Sequence, residues 1–540
     1  MLPRVPRRPV PRHLVRVIAL LLVVSACASD SPPRTAPRHV LLITIDTLRA
    51  DTLGFAGHAG VATPVLDRLA ATGRVFDSAH AHCVTTLPSH ASILTGLYPF
   101  EHGVRHNGGF VLADSVPALA PLLQAAGFAT GAFVGAFPLD ARFGLQRGFD
   151  VYDDEIDGAS DSLFTYSERS GDVVVDRASA WWDRHRQSRR FLWLHLFDPH
   201  APYEPPEPFA SQFAASPYLG EVSAVDHYLA PMIERFLGGD EEPTLIVVTS
   251  DHGEALGEHG EATHGLFAYE PTLKVPLVVW GPGVEPGVDS RQARHIDIAP
   301  TILQALGLDP LPASHGRSLL DPEENHPTTS FFEALSPHLD FGWAPLRGVL
   351  QGGEKYIDLP LPELYDLPTD PAESENLWAS GRRRARELAE VLPEESSWPP
   401  ARGEVSSAEA ERLRALGYLG GPTVHKARYT AADDPKNLVD LDRKVSQLAR
   451  LSSTGQAQEA IALAREILAQ RPTMGVVYIY LSSLLLQTGD YAEAIRTMRT
   501  AEQQGVASRD LLRQLGLTLI TVGQAQEALQ VLAPLAEDPS

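Results

Sequence analysis

Residues 39–46 read HVLLITID, a short apolar run rich in β-branched residues that ends in an aspartate. The pattern recurs as FLWLHLFD at residues 191–198 and as TLIVVTSD at residues 244–251. Runs of this length and composition predict buried strands. Helical patterns lie between them, such as SVPALAPLLQAAG at residues 115–127. This alternation predicts an α/β fold around a mostly parallel sheet that helices cover on both faces.

Each of the three runs ends in an acid: Asp46, Asp198 and Asp251. The carboxyl ends of parallel strands meet at one edge of a sheet, where open α/β folds bind their ligands. His252 follows Asp251 directly. Two carboxylates and one imidazole, from Asp46, Asp251 and His252, can hold a divalent cation. Asp198 is either a structural cap at its strand end or a ligand of a second metal.

A helix is predicted to begin at Pro88, with Thr86 at its N-terminus, in the stretch TTLPSHASILTGL at residues 85–97. Proline at position 88 suits a first helical position, where its missing N–H costs nothing. The N–H groups and the dipole at a helix N-terminus favour an anion. The Thr86 oxygen can also complete the metal's ligand set, which would lower its pKa and make it a nucleophile. A threonine here without the three ligands would be only a helix cap.

The N-terminus has the pattern of an export signal. Basic residues 4–16 precede an apolar run at residues 17–24 that is shorter than the roughly 20 residues of a spanning helix. The string VSAC at residues 24–27 resembles the lipobox of bacterial lipoproteins, which implies a lipidated Cys27. An ordinary signal cleaved near Ala26 or Ala28 is the alternative. We expect an exported cell-envelope lipoprotein, periplasmic or on the outer surface, that meets the membrane through its lipid anchor only.

The composition excludes several classes of protein. The chain of 540 residues is 44% apolar and 21% charged, which is typical of a soluble protein of several domains. Its net charge of −23 repels phosphate backbones, so we expect no nucleic-acid partner. An anionic substrate would need a metal or local positive charge. With two cysteines, Cys27 and Cys83, a disulfide framework and a cysteine zinc finger are both excluded.

The C-terminal part contains an internal repeat. GQAQEAI, GDYAEAI and GQAQEAL begin at Gly455, Gly489 and Gly523, so the period is 489 − 455 = 523 − 489 = 34 residues. A 34-residue helix–turn–helix period resembles the tetratricopeptide repeat. Grooves in such arrays bind peptides or helices, so we expect a protein partner. The repeats are predicted to pack on that partner or on the rest of the chain.

A series of motifs occurs in a fixed order between residues 39 and 377, and it includes TLPSHASILTGLYPFEHGV, FDPHAPYEP, TSDHGEALGEHG and HIDIAPTILQALGL. This series is similar to the sulfatase-like branch of the alkaline phosphatase superfamily. The resemblance implies an α/β/α sandwich followed by a smaller C-terminal α+β subdomain and then the all-α repeats. We divide the chain into signal peptide 1–26, tether 27–38, catalytic domain 39–380, linker with short helices 381–435, and tetratricopeptide repeats 436–540.

One position departs from the sulfatase pattern. Sulfatases carry Cys-x-Pro-Ser-Arg, whose cysteine becomes formylglycine, whereas this chain has Thr86-Leu-Pro-Ser-His90. Threonine at this position resembles the branches of the superfamily in which it attacks phosphorus. The resemblance therefore implies a metal-dependent hydrolase or transferase of an anionic phosphoester, with Thr86 as nucleophile. Sulfate-ester hydrolysis is one alternative, and a catalytically silent lipoprotein scaffold is the other.

The resemblance implies roles for other residues, carried over position by position. It implies one divalent metal, for which nitrogen ligation favours zinc or manganese over calcium. It assigns metal ligation to Asp46, Thr86, Asp251 and His252, catalysis to Thr86, His200 and His264, and substrate binding to Asn107 and His90. Glu254 and His259 lie in the same region, and we expect both at solvated loop positions.

Overall fold

The computed structural model describes residues 36–156, 169–239, 241–321, 329–394 and 423–537. The predicted signal peptide and most of the tether, including Cys27, therefore lie outside the described residues. In the part of the chain that is described, no helix combines the length and the apolar character needed to cross a membrane.

Strands form three sheets within the described residues. They are β1 His39–Ile45, β2 Arg74–Phe76, β3 Ala79–His80, β4 Phe128–Val134, β5 Val151–Asp153, β6 Arg189–Leu196, β7 Thr244–Ser250, β8 Leu277–Trp280, β9 Gly287–Asp289, β10 Ala293–Arg294, β11 Thr329–Ala334, β12 Leu346–Gln351, β13 Glu354–Asp358 and β14 Glu363–Asp366.

Helices lie between and after these strands in the described residues. They are α1 Pro64–Thr72, α2 Thr86–Thr95, α3 Pro99–His102, α4 Leu119–Ala125, α5 Gly171–Arg184, α6 Phe209–Gln212, α7 Pro217–Leu237, α8 Glu270–Leu273, α9 Ile298–Ala305, α10 Ser336–Phe341, α11 Arg382–Ala389, α12 Val439–Ser453, α13 Ala457–Gln470, α14 Gly475–Gln487, α15 Tyr491–Gln503, α16 Arg509–Thr521 and α17 Ala525–Glu537.

The central sheet has eight strands in the order β5-β4-β6-β1-β7-β8-β2-β9. The three apolar runs of the sequence are β6, β1 and β7, three neighbours at its centre that pair in parallel. Strand β8 runs antiparallel to both of its neighbours, so the sheet is mixed. The predicted α/β fold is confirmed, and the ends of the three runs come together.

Helices cover both faces of this sheet. Successive residues of β1 point to opposite faces, as the two-residue period of a strand requires. Leu41 and Ile43 pack in a core with α1, α5 and α7. Val40 and Leu42 pack in the opposite core with α2, α4 and α9. This arrangement explains why the central strands are apolar at almost every position.

A smaller antiparallel sheet, β11-β12-β13-β14, follows the central sheet in the chain. Helix α11 packs on it, with Ala385 and Leu388 against Val349, Tyr356 and Leu364. The folded subdomain therefore extends beyond the boundary predicted at residue 380. The charged run around α11 conceals two apolar residues three positions apart, which form one helix face.

The C-terminal repeats form three helix pairs: α12 with α13, α14 with α15, and α16 with α17. The glycines that start each copy of the motif lie in the turn inside a pair and have left-handed backbone angles, with φ of 75° at Gly455, 81° at Gly489 and 83° at Gly523. Such a residue ends a helix at little cost only when it lacks a Cβ. The predicted 34-residue repeat is confirmed.

The first repeat packs on the catalytic domain. Arg443 of α12 donates a hydrogen bond of 2.9 Å to the carbonyl of Gly260. The Leu361 N–H donates to the Asp434 carboxylate at 2.8 Å. Leu339 and Phe341 of α10 join the same apolar cluster as the buried residues of the repeats. Of the two placements that the sequence leaves open, the structure shows contact with the catalytic domain.

Candidate active site

Three metal-ligand side chains meet where β1 and β7 end. Ile45 pairs with Ser250 across these parallel strands, so Asp46 and Asp251 follow side by side. The ligand atoms of Asp46, Asp251 and His252 all lie within 4.8 Å of one another. The His252 Nε2 is 3.8 Å from Asp46 Oδ1 and 3.5 Å from Asp251 Oδ2. All three side chains are fully buried.

The chemistry of this cluster fits a divalent cation. Both Asp46 carboxylate oxygens, Asp251 Oδ2 and His252 Nε2 are buried without a hydrogen-bond partner among the described residues. Such atoms cost about 1–3 kcal/mol each when nothing satisfies them. Burial raises the pKa of Asp46 to about 7 and also raises that of Asp251. A cation bound by these atoms would remove both penalties.

Asp198 has a structural contact instead. Its Oδ2 accepts a hydrogen bond of 3.1 Å from the Gly171 N–H, at the first residue of α5. A carboxylate there satisfies a free donor of the helix N-terminus. Within the described residues, the one group of three close metal-ligand side chains is that of Asp46, Asp251 and His252.

Thr86 is the first residue of α2, and its side chain is fully buried. The helix begins two residues earlier than the sequence predicted, with Thr85 as its N-cap and Pro88 at the third position. Proline fits there because the first N–H groups of a helix have no partner within the helix. Burial raises the pKa of Asp46, whereas a side-chain contact with the Thr86 hydroxyl lowers it. The predicted nucleophile therefore adjoins the cluster.

Asn107 supplies an amide beside the start of α2. Its Oδ1 accepts a hydrogen bond of 2.8 Å from the Leu87 N–H. Its Nδ2 is buried and has no partner among the described residues. The amide is thus fixed beside Leu87, the residue that follows Thr86, and its Nδ2 donor remains unused. An unused donor in a fixed position suits the binding of an anion.

His90 differs from the sequence prediction that it contacts substrate. Its Nδ1 donates to the Thr86 carbonyl at 2.8 Å, and its Nε2 accepts from the Thr44 hydroxyl at 2.9 Å. The Thr44 oxygen in turn accepts from Trp193 Nε1 at 3.0 Å. Burial lowers the pKa of His90 to about 3, so the ring is neutral. Both nitrogens are used within the protein, and His90 holds the backbone at Thr86 in place.

The two histidines predicted to act on the leaving group lie together beside a metal ligand. The ring centre of His264 is 4.5 Å from that of His252 and 5.1 Å from that of His200. The His200 Nδ1 donates to the Ala201 carbonyl at 2.7 Å, and burial holds its pKa well below the ordinary value. The structure thus brings residues from two separate segments, the one after β6 and the one after β7, to one side of the cluster.

Glu254 is the clearest residue that the sequence analysis misplaced. It is fully buried rather than solvated, and its carboxylate lies 3.3 Å from His264 Nδ1. A carboxylate accepts but does not donate, so Nδ1 of His264 carries a hydrogen. His259, by contrast, is exposed, as expected. The repeated Gly and Glu residues of this loop gave no indication of which acid turns inward.

His195 was missed altogether. It lies in β6 opposite Thr44 of β1, and its Nε2 is 3.5 Å from Asp46 Oδ2. Its Nδ1 accepts a hydrogen bond from the Gly135 N–H at 3.3 Å, so Nε2 carries the hydrogen in the neutral ring. Burial lowers the pKa of His195 to about 4. A histidine within an otherwise apolar central strand was the signal available in the sequence.

Comparisons with known proteins agree with this architecture. The sulfatase family model matches residues 38–308, and a tetratricopeptide-repeat model matches residues 451–515. The chain belongs to the sulfatase family. It is thus a sulfatase-family hydrolase with a C-terminal tetratricopeptide-repeat region, and enzymes of this family bind a divalent metal.

Curated relatives and solved structures resemble most of the catalytic part. The N-acetylgalactosamine-6-sulfatase of Canis lupus familiaris is 27% identical in an alignment that covers 56% of this chain and 70% of the relative. Arylsulfatase A of Homo sapiens is 24% identical over 71% of this chain and 89% of its own. The solved phosphonate monoester hydrolase from Silicibacter pomeroyi aligns with a TM-score of 0.55 and 22% identity, over 65% of this chain and 93% of its own. The solved structures show the shared fold.

Proposed function

We propose that this protein hydrolyses or transfers a phosphoester, with the Thr86 hydroxyl as nucleophile. The observation that carries the proposal is a threonine, not a cysteine, at the buried start of α2 and in contact with Asp46. A threonine cannot become the formylglycine on which sulfatases depend. Among the solved structures that share this fold are phosphonate monoester hydrolases, which shows that the fold is compatible with phosphorus chemistry.

Asp46, Asp251, His252 and the Thr86 oxygen would hold one divalent cation. When bound, the cation supplies positive charge that lowers the pKa of the Thr86 hydroxyl and offsets charge on the transferring group. The imidazole ligand favours zinc or manganese over calcium. The contact of Asp198 with α5 gives no support for a second metal.

The residues of the chain suffice for the remaining steps. The Thr86 hydroxyl releases its proton to solvent and its Oγ attacks phosphorus, so a new O–P bond forms while the bond to the leaving oxygen breaks and that oxygen takes up a proton. The unused Asn107 Nδ2 donates a hydrogen bond to a non-bridging oxygen of the transferring group. Water or an acceptor alcohol then displaces Thr86 and regenerates its hydroxyl.

His264 is the better placed of the two histidines to protonate the leaving oxygen. The buried Glu254 carboxylate fixes its Nδ1–H and would stabilise the imidazolium form that donates a proton from Nε2. A positioned general acid contributes about 10²–10⁴-fold to the rate. His200, stacked on Phe197 with its Nδ1 bonded to a carbonyl, would orient the substrate or share this part.

Sulfate-ester hydrolysis is the second candidate, because several of the similar curated proteins carry the name of a sulfatase. In either case the substrate is an anionic ester. We further propose that the enzyme is exported and tethered to the cell envelope by a lipid on Cys27, and that the repeats bind a protein partner. A silent scaffold is disfavoured, because the metal cluster is complete and buried.

A substrate panel tests the proposal. Turnover of aryl phosphodiester, phosphomonoester, phosphonate and sulfate esters would be measured with the mature chain, which lacks the predicted signal peptide 1–26, in the presence of added zinc, manganese or calcium. We expect phosphoester turnover that falls on the order of 10³-fold or more in Thr86→Ala, as loss of a nucleophile does. Thr85→Ala is the matched control, because Thr85 is also buried but its side chain makes no capping hydrogen bond.

The outcomes separate the candidates. Turnover that depends on Thr86 but not on Thr85 supports the proposed nucleophile. Sulfate turnover above phosphoester turnover would establish the second candidate instead. Phosphoester turnover that survives Thr86→Ala would show that another group attacks.

A further inference from the structure

A cavity of about 580 Å³ lies between the β3/β10 pair and the β12–β13 hairpin. We call it the hairpin cavity. Its volume falls within the range of sites that hold small molecules. None of the residues assigned above to the candidate active site lines it. The polar part of its wall comprises Asp77, Ser78, His80, Glu270, Lys274, Ser290, Arg291 and Gln292.

A buried ion network makes part of this wall rigid. The His80 Nε2 donates to Glu270 at 3.1 Å, and the fully buried Lys355 ammonium lies 3.2 Å from Glu270. Lys355 also pairs with Glu373 at 2.8 Å. Because each side chain fixes the next, His80 cannot turn without breaking the network. The ring therefore presents its Nδ1 in a set direction.

The acids at the hairpin cavity have partners within the protein. Glu270 is matched by His80 and Lys355, as described. The Asp77 carboxylate accepts a hydrogen bond of 2.9 Å from the Ser290 hydroxyl. Nearby, Asp289 is paired with both ends of the Arg291 guanidinium. The negative charge of the wall is thus already satisfied.

Two of its donor side chains, in contrast, form no hydrogen bond or ion pair in the part of the chain that the structure describes. The Gln292 Nε2 is buried with no hydrogen-bond partner, and no carboxylate of the described residues lies within ion-pair distance of Lys274, although its charge lowers the pKa of Glu270. The Nδ1 of His80, whose side chain is more than nine-tenths buried, is also without a partner. Since Nε2 of this ring donates to Glu270, Nδ1 accepts a hydrogen bond in the neutral ring and donates one in the charged ring. A molecule that offers an anionic acceptor and a hydroxyl can satisfy all three groups, because a hydroxyl both accepts and donates.

We propose that the hairpin cavity binds a small hydroxylated molecule that carries an oxyanion, such as a sugar phosphate or a hydroxy acid. The oxyanion accepts hydrogen bonds from the Lys274 ammonium and from Gln292 Nε2; both are strengthened by the charge of the acceptor, and the first also by the charge of the donor. A hydroxyl of the same molecule forms a hydrogen bond with His80 Nδ1. The carbon body lies against the apolar side of the cavity, formed by Leu350, Leu367 and Pro368.

The test measures binding rather than turnover. Glycerol 3-phosphate, inorganic phosphate and glycerol would be titrated calorimetrically into the mature chain that carries Thr86→Ala and has been treated with a chelator. This background lowers binding at the candidate active site, so the result does not depend on the proposed function. We expect saturable binding of glycerol 3-phosphate, weaker binding of phosphate, and none of glycerol.

Two variants and one control locate the binding. Lys274→Met and Gln292→Leu should each weaken glycerol 3-phosphate binding by tenfold or more. Lys444→Met, which removes a lysine paired with Glu466 on the repeats, should leave it unchanged. Two independent variants guard against misfolding of one, and their melting temperatures would be compared with the parent. Absence of saturable binding, or equal affinity in the parent and both variants, would overturn the proposal.

Discussion

Asp46 shows how a single residue can be prepared for a metal at the cost of stability. Its carboxylate is fully buried, neither oxygen has a hydrogen-bond partner among the described residues, and burial raises its pKa to about 7. A chain selected for stability alone would place a neutral side chain there. Functional sites commonly retain such unfavourable groups.

We therefore predict opposite effects of Asp46→Asn on metal content and on stability. The variant should lose the bound divalent cation, measured by mass spectrometry of metals. Its metal-free form should melt above the metal-free parent, because a neutral amide replaces a buried ionisable carboxyl that faces Asp251. Asp198→Asn is the matched control and should keep the cation, since Asp198 binds the N-terminus of α5. Loss of the metal from the Asp198 variant would indicate a larger metal site than the cluster described here.

Glu254 is the second residue at which the structure changes the interpretation. We predict that Glu254→Gln lowers turnover about 10–100-fold, because the His264 imidazolium loses its buried carboxylate partner. Metal content should stay at the parent value, which separates this effect from damage to the cluster. Glu258→Gln is the control, because Glu258 lies four residues away and its side chain is half exposed. This variant should keep nearly the turnover of the parent. Equal losses in both variants would point to a general role of the loop instead.

At the scale of elements, the site depends on the adjacency of β6, β1 and β7 and on the start of α2. The strands bring Asp46, Asp251 and His195 together, while α2 contributes Thr86. The helices must then be held on the sheet. Asp226 of α7 does this for α1, because its carboxylate accepts from the Val65 and Leu66 N–H groups at the open end of that helix.

The burial of Asp226 at this contact predicts that the stability of the protein depends on pH. Burial raises the pKa of Asp226 to about 6. Between about pH 4 and pH 6 the folded chain therefore holds a proton that the unfolded chain has released, so this residue's contribution to stability falls as pH rises. A shift of this size corresponds to about 2–3 kcal/mol. Asp226→Asn cannot titrate. The melting temperature of the variant minus that of the parent should therefore increase from pH 4 to pH 7. A constant difference across this range would contradict the prediction.

At the scale of the whole molecule, the repeats and the catalytic domain share one apolar cluster. The contact of Arg443 with Gly260 also joins α12 to the loop that carries Glu254 and His259. We infer that the repeats support the catalytic domain as well as presenting a groove to a partner.

We accordingly predict that removal of residues 423–540 destabilises the catalytic domain. The truncated chain would expose Leu339 and Phe341, which now pack with the repeats, and each apolar side chain uncovered costs about 1.5–3 kcal/mol if it is fully exposed. Calorimetry should show a lower melting temperature of the catalytic part and earlier aggregation. An unchanged melting temperature would mean that the two parts fold independently.

The sequence alone determined those features that depend on periodicity and on order along the chain. Three β-branched apolar runs predicted the central strands, a 34-residue period predicted the helix pairs, and residues at strand ends predicted that Asp46, Asp251 and His252 lie together. These inferences succeed because backbone geometry converts a local pattern into an element and places the ends of parallel strands at one edge.

Only the tertiary structure decided which polar side chains turn inward. Glu254 and Glu258 belong to the same loop sequence, yet the first is buried against His264 and the second pairs with Arg49 at the surface. His90 has its nitrogens used by Thr86 and Thr44, a residue 46 positions away. Burial and hydrogen-bond partners arise from contacts between distant segments, and no local pattern encodes them. The sequence therefore indicated most of the residues that cluster at the candidate site. It did not indicate which of its histidines and acids face the site and which are held in hydrogen bonds within the protein.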